Sequence, residues 1–90
     1  MASVRFTRHL RLHFPDLAET RAAGSDLKEV VAALDRMHPG LADYLVDDRG
    51  ALRLHVNIFI NGEILRDRVG LTDPVSDEDE VFVMQALSGG

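Results

Sequence analysis

The stretch EVFVM at residues 80–84 limits the fold more than any other part of this chain. Its apolar residues run without interruption from Val81 to Met84, which suits a strand enclosed within a sheet rather than one that alternates between core and water. Such a strand belongs at the centre of its sheet. A central strand at the end of the sequence pairs most simply in parallel with the first strand, and a parallel pair needs a crossover that carries a helix.

The rest of the chain supplies those parts. VRFTRHLRLHF at 4–14 sets Val4, Phe6, Leu10, Leu12 and Phe14 against Arg5, Thr7, His9, Arg11 and His13, a period of two that marks a half-buried strand. Arg8 interrupts the apolar face and FPD at 14–16 is turn chemistry, so the expected elements are a strand near 3–8, an irregular connection and a weakly specified edge strand near 18–23. In GSDLKEVVAALDRMHPG the period becomes helical, with Leu27, Val30, Val31, Leu34 and Met37 on one stripe. Asp26 with Glu29 forms a capping-box signature, and His38-Pro39-Gly40 supplies the stop. LADYL after it adds a short turn. LRLHVNIFINGEILR at 52–66 reads as a hairpin with Leu54, Val56, Ile58 and Ile60 on one face and Asn61-Gly62 at the turn.

The expected order is strand, strand, helix, strand, strand, strand: an α+β chain with a mixed five-stranded sheet and one main helix on one face, the β-grasp arrangement of ubiquitin. Ninety residues hold one such domain, spanning 1–90, with a flexible diglycine tail at about 86–90. A formal charge of −5 argues against a nucleic-acid partner, which would require clustered Lys and Arg. No apolar run approaches the roughly 20 residues of a membrane span, and the alternating N-terminal segment lacks the apolar block of a signal peptide. The absence of cysteine removes disulfides, thiolate metal sites and thiol nucleophiles, and fits a reducing cytoplasm.

The helix opened by SDLKEVVAAL, the VNIFING hairpin, the DEDEV turn into the last strand and the terminal SGG together resemble the ThiS/MoaD family of ubiquitin-like sulfur carriers, over essentially the whole chain. Within that family LHVNIFINGEILR looks most like the carriers that deliver sulfur for cysteine biosynthesis. The resemblance implies that a ThiF/MoeB-like adenylating enzyme uses ATP to activate the carboxylate of Gly90, that sulfur then displaces the adenylate to give a thiocarboxylate, and that the carrier itself binds no cofactor. Gly89 is then the flexible lead to Gly90, with Ser88 and Leu87 behind it. It further implies a sulfur-accepting enzyme, resembling either a cysteine synthase or the large subunit of molybdopterin synthase. The alternatives within the family are a small subunit of molybdopterin synthase and a modifier conjugated to lysines.

Parity along the last strand directs Val81 and Val83 to the helix and leaves Phe82 and Met84 on the other face, joined by Phe59 from the neighbouring strand. An exposed aromatic and methionine patch marks a partner site. The alternative for these three residues is ordinary packing. Asp77 to Glu80 reads as a solvated turn that keeps the final strand from aggregating, or as a patch that steers a basic partner. His9 and His13 share a polar face, but at strand spacing they stand roughly 13 Å apart, which excludes a shared metal ion. Nothing in the histidine spacing suggests a catalytic triad, and Lys28 is the only side-chain amine available for self-attachment.

Overall fold

Residues 1–85 are described by a computed structural model. In chain order the elements are β1 (Ala2–Phe6), α1 (Arg8–His13), β2 (Thr20–Ala22), α2 (Leu27–Met37), α3 (Leu41–Leu45), β3 (Val56–Ile60), β4 (Glu63–Ile64) and β5 (Glu80–Gln85). The strands form one sheet in the order β2-β1-β5-β3-β4, so the uninterrupted apolar strand does take the centre. It runs parallel to β1, with Val4 opposite Val81 and Phe6 opposite Val83, and antiparallel to β3, with Ile58 opposite Val83.

One face of the sheet is sealed. Val4, Val56, Ile58, Val81 and Val83 from the strands, Leu27, Val30 and Leu34 from α2, Leu41 and Leu45 from α3, and Leu10 from α1 are each at most 1% exposed and belong to a single core cluster. Burying side chains of this size contributes about 1.5–3 kcal/mol apiece before entropy is counted.

The capping signature of α2 forms with one shift. Asp26 accepts a hydrogen bond from the Glu29 amide at 2.9 Å, as expected, while the Glu29 carboxylate returns to Ser25, whose amide and hydroxyl donate at 2.7 and 2.9 Å. Those two donors lower the Glu29 pKa, the Ser25 backbone amide most. The chain enters α2 so closely that a Cβ on Gly24 would lie 2.8 Å from the Val30 amide nitrogen, which leaves room only for glycine.

Three expectations fail locally. The segment read as a continuing strand and irregular connection holds α1 instead, a six-residue helix that buries Leu10 at 0% exposure and leaves Leu12 72% exposed. A helical period separates these two leucines where a strand would align them. Leu54, assigned to the inner face of β3, is 95% exposed because the Val56 amide bonds back to the Arg53 carbonyl and this turn delays the strand to Val56. Met37, placed on the α2 stripe, sits at the end of that helix and is 44% exposed. The helical turn expected from LADYL is present as α3, so one main helix is accompanied by two short ones.

Candidate functional site

The face of the sheet away from the core is built from the alternate residues of the same strands. Phe59 of β3 stands directly opposite Phe82 of β5, Asn57 stands opposite Met84, and on the other side Arg5 of β1 pairs with Phe82. Directly opposed side chains share a face and touch their neighbours. Phe59, Phe82 and Met84 are half-buried and, with Arg5, Asn61 and Gly62, line an open groove. The expected grouping of Phe59, Phe82 and Met84 is therefore present.

The start of β5 is pinned to the β3–β4 turn. Asn61 and Gly62 adopt φ of 52° and 83°, the left-handed pair that a two-residue hairpin turn requires. Asn61 then holds the acidic run: its side-chain amide donates to Asp79 at 2.8 Å, and its side-chain oxygen accepts from the Glu80 amide at 2.9 Å. Asp79 also accepts from the Ser76 amide at 2.8 Å, and these bonds, Ser76 first and Asn61 second, lower its pKa. Asp77 receives the terminal amino group of Met1 at 3.0 Å. Two members of the acidic run thus have partners in the fold, while Glu78 and Glu80 are exposed.

The end of β5 is held differently. The Gln85 amide donates to the Thr7 hydroxyl at 3.3 Å, and the Gln85 side-chain oxygen accepts from the Tyr44 hydroxyl at 3.1 Å. Tyr44 belongs to α3 and stands in an aromatic cluster, its ring centroid 4.8 Å from that of His13 and edge-on to Phe14 and His55 at 5.8 and 6.4 Å. Neither Tyr44 nor Thr7 carries a signal in the sequence that would join it to Gln85. Leu87, Ser88, Gly89 and Gly90, the other residues singled out as a site, lie outside the described residues.

The histidine spacing needs correction. His9 and His13 lie on α1, where four residues rise only about 6 Å, so they occupy successive turns of a helix rather than distant points of a strand. Among the described residues no group of three or more His, Asp or Glu side chains is arranged to hold a metal ion. The loop before β5 is tied by carboxylates: Asp67 accepts from the Thr72 hydroxyl and from the amides of Gly70, Val69 and Thr72, which lowers its pKa to about 2, and Asp73 accepts from the amides of Arg66 and Asp67 at 2.9 Å. Among the described residues no helix is long and apolar enough to cross a membrane.

The likenesses to known proteins cover the whole of this arrangement. The chain is 32% identical over 83 residues to the sulfur carrier protein CysO of Mycobacterium tuberculosis, covering 90% of this chain and 89% of that one. A chain from the crystal structure of the Amycolatopsis orientalis BexX/CysO complex superposes with a TM-score of 0.86 at 27% identity, covering 100% of both chains. The solution structure of small archaeal modifier protein 1 from Methanosarcina acetivorans superposes with a TM-score of 0.78 at 26% identity, covering 99% of this chain and 95% of that one. The model of the ThiS family matches residues 4–90, which takes in the whole of β5 and the terminal SGG of the sequence. The β-grasp sheet and this match agree, and the chain belongs to the ThiS family.

Proposed function

We propose that this protein is a sulfur carrier of cysteine biosynthesis that works in the cytoplasm and is a substrate of its partner enzymes rather than an enzyme itself. The observation that carries the reading is the likeness to CysO along 90% of the chain, on a fold whose central strand is followed in the sequence by Ser88-Gly89-Gly90.

The chemistry follows from what a carboxylate lacks. As an anion it is a poor electrophile, so a ThiF/MoeB-like enzyme brings ATP, and a carboxylate oxygen of Gly90 attacks the α-phosphorus with loss of pyrophosphate. The resulting mixed anhydride has AMP as a leaving group. Hydrosulfide attacks the acyl carbon, the C–O bond to AMP breaks, and the thiol proton is lost to solvent, leaving a thiocarboxylate. Its sulfur is a nucleophile that a cysteine synthase-like enzyme can direct at an activated amino-acid acceptor. Leu87, Ser88 and Gly89 supply the lead: glycine at 89 and 90 presents no Cβ to a narrow channel.

Recognition falls to the open sheet face, where Phe59, Phe82 and Met84 offer an apolar surface to the activating enzyme. Their half-burial on β5 and the neighbouring β3 supports this role, since confined aromatic side chains lose little freedom on binding.

Incubation with the activating enzyme, ATP, magnesium and sulfide should convert the protein to a species with one oxygen replaced by sulfur, read by intact mass. A protein that stays unchanged while the enzyme thiocarboxylates its known carrier would defeat the proposal. Deleting Gly90 should abolish the product and leave the melting temperature unaltered. The likeness to the Methanosarcina modifier supports a second reading, in which the activated Gly90 is transferred to lysines of other proteins; Gly-Gly remnants on lysines in the native cell would mark it.

A further inference from the structure

Gln85 closes the described part of β5, and it is held where the pairing with β1 has already stopped. β1 makes its final pairing with β5 at Phe6 opposite Val83, and β3 begins at Val56, opposite Gln85 itself. Beyond Val83 the β1 side of the strand has no ladder. Its place is taken by Thr7, whose amide donates to the Val83 carbonyl at 3.0 Å and whose hydroxyl accepts from the Gln85 amide at 3.3 Å.

The Gln85 side chain is held from a third direction by Tyr44, 41 residues away in sequence. Tyr44 is itself half-buried, and its ring is fixed by His13, Phe14 and His55 from α1, the residue after it and the turn before β3. A surface hydroxyl with no packing around its ring would hold a glutamine loosely. Here three aromatic neighbours confine the ring, so the bond ties the end of β5 to α3.

We propose that Tyr44 and Gln85 are positioning residues: their hydrogen bond fixes the end of β5, the point from which the chain continues in sequence to Gly90, and so favours delivery of Gly90 to the activating enzyme. This rests on the sulfur-carrier reading. Gly90 lies five positions beyond Gln85, so a fully extended chain would place it at most ~18 Å away. Without the Tyr44 bond the end of β5 keeps only its backbone partners on Thr7 and β3, and the enzyme must order that looser end at every encounter. The ordering is required equally in the bound complex and in the transition state, so its loss raises KM and leaves kcat unchanged.

The test is pyrophosphate release by the ThiF/MoeB-like enzyme, with the carrier varied. Tyr44→Phe keeps the ring in its aromatic cluster and deletes only the donor; Gln85→Leu deletes the acceptor; Gln85→Glu retains an acceptor oxygen. Tyr44→Phe and Gln85→Leu should each raise KM about three- to tenfold with kcat unchanged, the double variant should be no worse than either single one, and Gln85→Glu should restore most of the loss. An unchanged KM in Tyr44→Phe overturns the proposal. So does a fall in kcat matched by a lower melting temperature, which is the mark of a merely structural bond. Should the wild-type protein itself fail as a substrate, the sulfur-carrier reading falls, and hydrogen exchange at the Gln85 amide judges the clamp alone: faster exchange in Tyr44→Phe keeps it as the anchor of the tail, and equal exchange removes it.

Discussion

The two faces of the sheet are made by the same strands and obey different rules. On the inner face Val4, Val56, Ile58, Val81 and Val83 are 0–1% exposed, and β-branched side chains of similar size fill the space under the helices. On the outer face Arg5, Asn57, Phe59, Phe82 and Met84 form a mixed surface of aromatic, sulfur-containing and polar groups that no helix covers. The first set is fitted to this molecule's own interior. The second set is half-buried apart from the exposed Arg5, and under the proposed function its remaining exposed surface is what a partner enzyme would meet.

The contrast can be broken at its strongest point. Ile58→Ala on the inner face should cost about 2–5 kcal/mol, from lost transfer energy and the cavity left behind, and the measurement is the denaturant midpoint at constant m. Phe82→Ala on the outer face should cost under about 1 kcal/mol of stability yet weaken binding to the activating enzyme roughly tenfold, a loss of about 1.4 kcal/mol. Titration calorimetry beside a thermal melt separates the two. If Phe82→Ala unfolds the protein as Ile58→Ala does, the outer face is core in disguise and the comparison collapses.

Smaller effects sharpen it. Asp26→Ala removes the cap of the helix that closes the inner face and should destabilise by about 1 kcal/mol, with binding by the outer face unaltered. The smallest concerns pH and the loop before β5. The Asp67 pKa is lowered to about 2 from 3.8, so its ionised form is favoured by folding, and the stability it adds is complete above 3.8 and lost as pH falls toward 2. The melting temperatures of wild type and Asp67→Asn should therefore differ most at neutral pH and converge across that window.

What the sequence disclosed follows the range of the interactions involved. The α2 stripe, the Asp26 cap and the Asn61-Gly62 turn rest on neighbours within a few positions, and the solid apolar run marked β5 as central through its own residues. The α1 helix escaped because HLRLH alternates as a strand would, and six residues of helix have little stability of their own; burial of Leu10 decides the matter, and Leu10 is buried only once the sheet exists. A threonine ahead of the segment and Phe14-Pro15 after it were the available hints of a helix there. The outer-face grouping of Phe59, Phe82 and Met84 was legible from strand parity, which needs only the pairing register. The hold of Tyr44 and Thr7 on Gln85 was not, since partners 41 and 78 positions apart leave no local trace.

Placing β5 between β1 and β3 also sets a timetable for synthesis. On the ribosome the strands made first, β1 with β2 and β3 with β4, emerge as separate pairs whose inner edges have no strand to bond, because each is shaped to receive the strand translated last. Contacts spanning most of the chain close slowly. The sheet therefore stays unfinished until residues 80–85 are free to pair, and until then β1 and β3 each keep an open edge. The outer face across β3 and β5 exists only once β5 has paired, so an enzyme that recognised that face would not bind a copy lacking it.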